Sequence, residues 1–187
     1  YCVQLTDADL APLLKRTKLE RLSLGSLELL SEEFLVQLVE HLGPSIRDLS
    51  LEECQGATDA VVVAIRTHCR HLQRLNLKGL NLSTETLLGL FITAPADVET
   101  DVAGISLSIG TLETISLRAT TGVTDDVVIQ LVAGSNRGIE ELSLHSCASL
   151  SDRALMAITT HCADTLKTLD VSFVRGITDN VSLGSCL

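Results

Sequence analysis

The chain has 187 residues, 45% of them apolar and 20% charged, which is enough apolar content to bury a core and rules out a disordered segment. A formal net charge of −10 argues against non-specific binding to nucleic acid or anionic lipid, because both require a basic surface. Aromatic residues make up 2% and Trp is absent, so the core must be Leu, Val, Ile and Ala, which suits thin regular layers.

The elements follow one another at a fixed phase. Near the start, Thr6 and Asp7 in "LTDADL" read as the entry to a helix: a hydroxyl for the cap and an acid for the first turn. The pattern L-x-x-L-x-L, with Ile or Val allowed, then occurs six times: "LERLSL" from Leu19, "IRDLSL" from Ile46, "LQRLNL" from Leu72, "LETISL" from Leu112, "IEELSL" from Ile139 and "LKTLDV" from Leu166. Successive starts are 27, 26, 40, 27 and 27 residues apart, so one step is stretched by about 14 residues. Seven residues after each strand's last apolar residue comes a hydroxyl followed by an acid: Ser31–Glu32, Thr58–Asp59, Thr84–Glu85, Thr124–Asp125, Ser151–Asp152 and Thr178–Asp179. Apolar residues at helical spacing follow, such as Val61, Ala64 and Ile65. Each unit therefore predicts a short strand, a turn and a capped helix. Such a unit cannot bury its own apolar face, but stacked copies can, with strands pairing in parallel through right-handed crossovers. The expected fold is an α/β solenoid, right-handed and curved, with the parallel sheet on the concave side and the helices on the convex side.

Six cysteines are present, and four sit in two twenty-one-residue stretches that match each other, "LSLEECQGATDAVVVAIRTHC" and "LSLHSCASLSDRALMAITTHC". Cys54 and Cys147 share a slot filled elsewhere by Leu27, Leu80, Thr120 and Val174; Cys2 falls in the same phase. Cys69 and Cys162 close their helices where another unit has Leu42, and His41, His68 and His161 precede that slot. Apolar or small residues replace the thiols without disturbing the phase. The expected role is therefore structural: reduced, buried thiols in a nuclear or cytoplasmic protein. Neighbouring His and Cys diverge around a helix axis, and no C-x-x-C is present, so neither a zinc site nor a catalytic Cys–His pair is expected. The repeated acids match no single active site, and no phosphate-binding glycine loop or nucleophile elbow is present. No catalytic, cofactor-binding or metal-binding residue is expected. Cys186 falls in a degraded last unit.

These units resemble the cysteine-containing class of leucine-rich repeats, roughly "LxxLxLxxCxxLTDxxLxxLxxHCxx", over nearly the whole chain. This class is common in F-box substrate receptors of ubiquitin ligases and in antagonist-of-mitotic-exit proteins. It also occurs in the leucine-rich-repeat subunit of fungal global-genome nucleotide-excision repair, which "LDVSFVRGITDN" resembles most. The resemblance implies a non-enzymatic protein-interaction module, a substrate-recognition or adaptor subunit of a ubiquitin-ligase or repair assembly. A ubiquitin-ligase adaptor or repair factors would join it through flanking sequence, since no F-box is present. The alternative is a scaffold subunit that holds a large complex together without selecting a substrate.

Residues 1–187 are expected to form one repeat domain of about seven units, the first and last incomplete, cut from a longer protein. No run of about 18 apolar residues predicts a membrane span. The consensus residues are consumed by the core, which leaves the variable strand positions for binding. The candidates on the concave face are Arg21, Asp48, Glu52, Arg74, Asn76, Lys78, Arg118, Glu141, His145 and Asp170, with Arg74, Lys78 and Arg118 as a basic cluster for an acidic segment. The insertion at about 95–110 carries Asp97, Glu99 and Asp101 and is a second candidate docking element.

Overall fold

The computed structural model describes residues 4–16, 18–91, 111–135 and 138–178. Six three-residue strands form one parallel sheet in chain order: β1 (Arg21–Ser23), β2 (Asp48–Ser50), β3 (Arg74–Asn76), β4 (Thr114–Ser116), β5 (Glu141–Ser143) and β6 (Thr168–Asp170). The helices are α1 (Asp7–Leu10), α2 (Glu32–Leu42), α3 (Asp59–His68), α4 (Thr84–Phe91), α5 (Asp125–Gly134) and α6 (Asp152–Cys162). Each of β1 to β5 is followed by a helix, and α2 to α6 pack on one another in the same order as the strands. This is the leucine-rich-repeat solenoid.

The register is uniform. Leu22, Leu49, Leu75, Ile115, Leu142 and Leu169 pair in one row from β1 to β6. With Leu24, Leu51, Leu77, Leu117 and Leu144 they form a continuous apolar layer under the helices, fully or nearly fully buried from β2 to β5. Each such side chain contributes roughly 1.5–3 kcal/mol through burial. The insertion leaves this register intact, because β3 still pairs directly with β4. The insertion itself, with Asp97, Glu99 and Asp101, lies outside the described residues, as do Cys2, Asp179 and Cys186.

The repeated hydroxyl–acid pair does more than cap its own helix. The acid of one rung reaches the hydroxyl residue of the next. Asp7 accepts from the Ser31 N–H at 2.9 Å and from its hydroxyl at 2.6 Å. Glu32 accepts from the Thr58 hydroxyl, and Asp59 accepts from the Ser83 N–H at 3.0 Å. Asp125 takes both donors of Ser151 at 2.8 and 2.5 Å, and Asp152 takes both donors of Thr178 at 2.7 Å. The hydroxyl caps its own helix at Ser31, which accepts from the Phe34 N–H, and at Ser151, which accepts from the Arg153 N–H.

The expected cap at Thr84 is corrected. Ser83 caps α4 instead, accepting from the Thr86 N–H at 3.2 Å. In this rung the buried apolar residue before the helix is Leu82, one position earlier than Leu30, Ala57, Val123 and Leu150 in theirs, so the helix begins one residue sooner. Thr84 then occupies the place of the acid, and its hydroxyl donates to the Gly122 carbonyl of the next rung. Glu85 takes no part in the ladder, and the Thr124 hydroxyl is buried without a partner.

Turn geometry repeats as well. Ser26, Glu53, Gly79, Ala119, Ser146 and Phe173, each two residues past the strand's last apolar residue, all have φ between 52° and 72°. A non-glycine residue there costs about 1–2 kcal/mol. The conformation aims the backbone N–H at the next rung: Glu53 donates to the Lys78 carbonyl at 2.8 Å and Ala119 to that of His145 at 2.8 Å. Gly56 and Gly176 are needed for close approach, since a Cβ would lie 2.2 Å from the Leu30 carbonyl oxygen and 2.1 Å from that of Leu150.

Replacing Asp125 by Ala removes both acceptors of Ser151 and is expected to lower stability by about 1–2 kcal/mol, whereas Glu85→Ala should be nearly neutral. Urea denaturation of the two variants measures the difference, and equal losses would show that the ladder is not stabilising.

Candidate functional site

The buried slots come first, because they hold the residues with chemical potential. Cys54, Cys69, Cys147 and Cys162 are buried free thiols. The Cys54 thiol donates to the Leu27 carbonyl at 3.3 Å and the Cys147 thiol to the Leu117 carbonyl at 3.1 Å, both in the preceding rung. Thr120 occupies the same slot and does the same, its hydroxyl donating to the Leu77 carbonyl at 2.7 Å. The slot therefore takes a small donor as well as a plain hydrophobe. Burial pushes the Cys69 thiol up to about 12 and the Cys147 thiol up to about 11. Neither is a nucleophile at neutral pH. His41 contacts the Arg16 carbonyl at 2.8 Å through Nε2, which ties its helix end to the preceding segment.

The strands place the candidate binding residues in rows on the sheet face. Arg21, Asp48, Arg74, Thr114, Glu141 and Thr168 form one row, and Ser23, Ser50, Asn76, Ser116, Ser143 and Asp170 the next. Glu52, Lys78, Arg118 and His145 each sit two residues past their strands. Neighbouring rungs largely satisfy one another. Lys78 Nζ lies 2.5 Å from Glu52 and 3.0 Å from Glu53, and Asn76 donates to Glu52 at 3.0 Å. Arg74 reaches Asp48 at 3.8 Å. The expected basic cluster is thus divided: Lys78 is held between two carboxylates, and Arg74 faces one. Arg118 contacts His145 Nε2 through Nη2 at 3.3 Å, and the other ring nitrogen lies 2.8 Å from the Ser146 hydroxyl. Asp170 accepts from the N–H and hydroxyl of Ser172. Glu141 is exposed at the start of β5.

Phe173 was not among the sequence candidates. It is 80% exposed, and its ring centroid lies 5.0 Å from that of His145. Its only signal is an aromatic residue in a chain that holds few, at a turn position where other rungs carry small or polar residues. Among the described residues no group of three or more His, Cys, Asp and Glu side chains is placed to hold a metal ion. No helix of the described residues is long and apolar enough to cross a membrane.

The repeat, the register and the ladder define a leucine-rich-repeat protein. No family model matches the chain. Among curated proteins it is similar to antagonist of mitotic exit network protein 1 of Candida glabrata, 30% identical over 164 residues, covering 87% of this chain and 29% of that protein. DNA repair protein rhp7 of Schizosaccharomyces pombe is 29% identical over 154 residues, covering 82% of this chain and 25% of that one. The mitotic-exit antagonist of Eremothecium gossypii is 29% identical over 141 residues, 75% of this chain and 32% of that protein. The chain thus spans no more than about a third of these relatives. Among solved structures, the yeast Rad7 and Elc1 complex matches with a TM-score of 0.66 and 21% identity, covering 95% of this chain and 49% of that one. That likeness carries the fold.

Two expectations can be measured. Cys69 and Cys147 should resist alkylation at pH 8 in the folded chain and react in urea, read peptide by peptide by mass spectrometry; labelling without denaturant would contradict their burial. Hydrogen bonding from Lys78 holds the Glu52 carboxyl below its ordinary range, and bonds from Thr178 and Ser172 do the same for Asp152 and Asp170. The native state therefore binds fewer protons than the unfolded chain across this range. Their stabilisation is complete above the unfolded carboxylate values and disappears as pH falls through the lower folded ones. Denaturation midpoints taken from pH 6 downward should drop below about pH 4, and Glu52→Gln should flatten part of the slope.

Proposed function

We propose that the chain is a non-enzymatic protein-interaction module, acting as a substrate-recognition or adaptor subunit in a ubiquitin-ligase or DNA-repair assembly. One observation carries this reading. The residues able to do chemistry recur at repeat phases and are bound up in stacking, while the residues that differ from rung to rung stand in rows on an exposed sheet face. That arrangement suits selective recognition of an extended protein surface. The similarity to mitotic-exit antagonists and to a repair protein supports the setting, and the Rad7 and Elc1 pair offers a precedent for assembly with a second chain. On this reading the chain works in the nucleus or cytoplasm, through protein partners and without direct contact to nucleic acid. The insertion with Asp97, Glu99 and Asp101 is a second docking element on the same reading.

Charge reversal at Arg74, Lys78 and Arg118 in the full-length protein is expected to reduce co-precipitation of its partners by at least tenfold. Capture that survives those changes and is lost when helix surfaces are altered would favour the scaffold alternative and remove the sheet face from the binding site.

A further inference from the structure

The edge of the solenoid where helices end and strands begin is of mixed charge, with its arginines gathered in the first three rungs. In the first three rungs it carries Arg21, Arg47 and Arg74 beside Glu20 and Asp48, with Lys18 exposed next to them. The backbone row that begins with Glu20, Arg47 and Gln73 continues from the fourth rung on with Glu113 and Glu140, and Glu141 stands next to them in the adjoining row. The chain of bonds from Arg47 N–H to the Glu20 carbonyl, Gln73 to Arg47, Glu113 to Gln73 and Glu140 to Glu113 places them in one line. Lys167 is paired with Glu140 at 2.8 Å at the far end. At the basic end, Glu20, Arg21, Arg47, Asp48, Gln73 and Arg74 line an open cleft of about 210 Å³. The one ion pair within it, Arg74 to Asp48 at 3.8 Å, is loose, and the Arg74 side chain is 59% exposed. Such a pair contributes little by itself, so its guanidinium can take another acceptor at small cost.

We propose that this cleft binds a short acidic segment of a protein partner, a run of three or four Asp and Glu residues in extended form. The proposal rests on the interaction-module reading and moves the anion-binding element from the middle of the sheet, where Lys78 is already held by two carboxylates, to its edge. Length decides the class of ligand. Parallel strands are about 4.8 Å apart, so Arg21 and Arg74, two rungs apart, span roughly 10 Å, which an extended chain covers in about three residues. A nucleic-acid strand laid along the edge would pass from these guanidiniums onto Glu113, Glu140 and Glu141. Separate carboxylates on alternating side chains can instead find Arg21, Arg47 and Arg74 one at a time, each as a bidentate acceptor.

The test uses a fluorescein-labelled octaglutamate peptide, its octaglutamine counterpart and a short DNA duplex, followed by anisotropy at low ionic strength. Octaglutamate should bind and octaglutamine should not. Arg21→Glu with Arg47→Glu should weaken octaglutamate binding at least tenfold, while Arg153→Glu on α6 should change it less than twofold. Circular dichroism confirms that each variant is folded, and Arg47→Gln serves if Arg47→Glu is not. The proposal is overturned if the peptide does not bind, if its binding depends on Arg118 rather than Arg47, or if the duplex binds more tightly through the same residues. It is also overturned, as regards a partner, if neutralising Asp97, Glu99 and Asp101 strengthens peptide binding, since the chain's own acidic run would then be the occupant. A protein that captures no partner in co-precipitation yet still binds octaglutamate would sink the interaction reading alone, so the two ideas fail separately.

Discussion

Neighbouring rungs of this molecule complete one another. The acid at the start of one helix satisfies the cap residue of the following rung, the turn N–H beyond each strand reaches the following turn's carbonyl, and a thiol or hydroxyl at the turn slot reaches back to the rung before. An isolated unit would expose its leucines and leave these groups to water. Stacking buries the first and pairs the second in the same step, so the apolar layer and the polar ladder demand the same register.

That constraint explains why the four described cysteines and the repeated acids are taken up by the stack. A helix-end cysteine is held in a dry slot where the thiolate is strongly disfavoured, and a turn cysteine spends its one proton on a neighbour's carbonyl. The acids that recur down the convex side are acceptors for the next cap. What lies outside the stack is the variable surface: charges on the sheet face, largely paired with one another, others along its edge, and an aromatic ring standing on His145.

The period, the strand positions and the leucine layer were legible because each leaves an apolar residue at a fixed spacing. The cross-rung role of Asp125 and Asp152 was not, because an acid after a cap reads equally well as a partner for its own helix dipole. The left-handed turn was invisible for a different reason: only Gly79 among its six members carries the expected residue, and stacking imposes the conformation on Ser26, Glu53, Ala119, Ser146 and Phe173. Ser83 displaced Thr84 as cap because burial of Leu82 outweighed the phase of the repeat. Arg74, Lys78 and Arg118 looked like one cluster because the sequence counts cations in a column without showing which carboxylate each one meets.

The stretched rung has a mechanical meaning. Between the third and fourth rungs no acid reaches the next cap, a buried hydroxyl lacks a partner, and α4 packs less extensively on its neighbours than α2 does on α3 or α5 on α6. A buried hydroxyl without a bond costs about 1–3 kcal/mol, and here other bonds take the place of the acid: the Thr121 N–H donates to the Leu80 carbonyl, the Thr121 hydroxyl to the Leu82 carbonyl and the Thr84 hydroxyl to the Gly122 carbonyl. In a stack whose stability is a sum of nearest-neighbour terms, a joint bonded unlike the others has a strength of its own, so the insertion marks the place where opening of the array can be set apart from the rest.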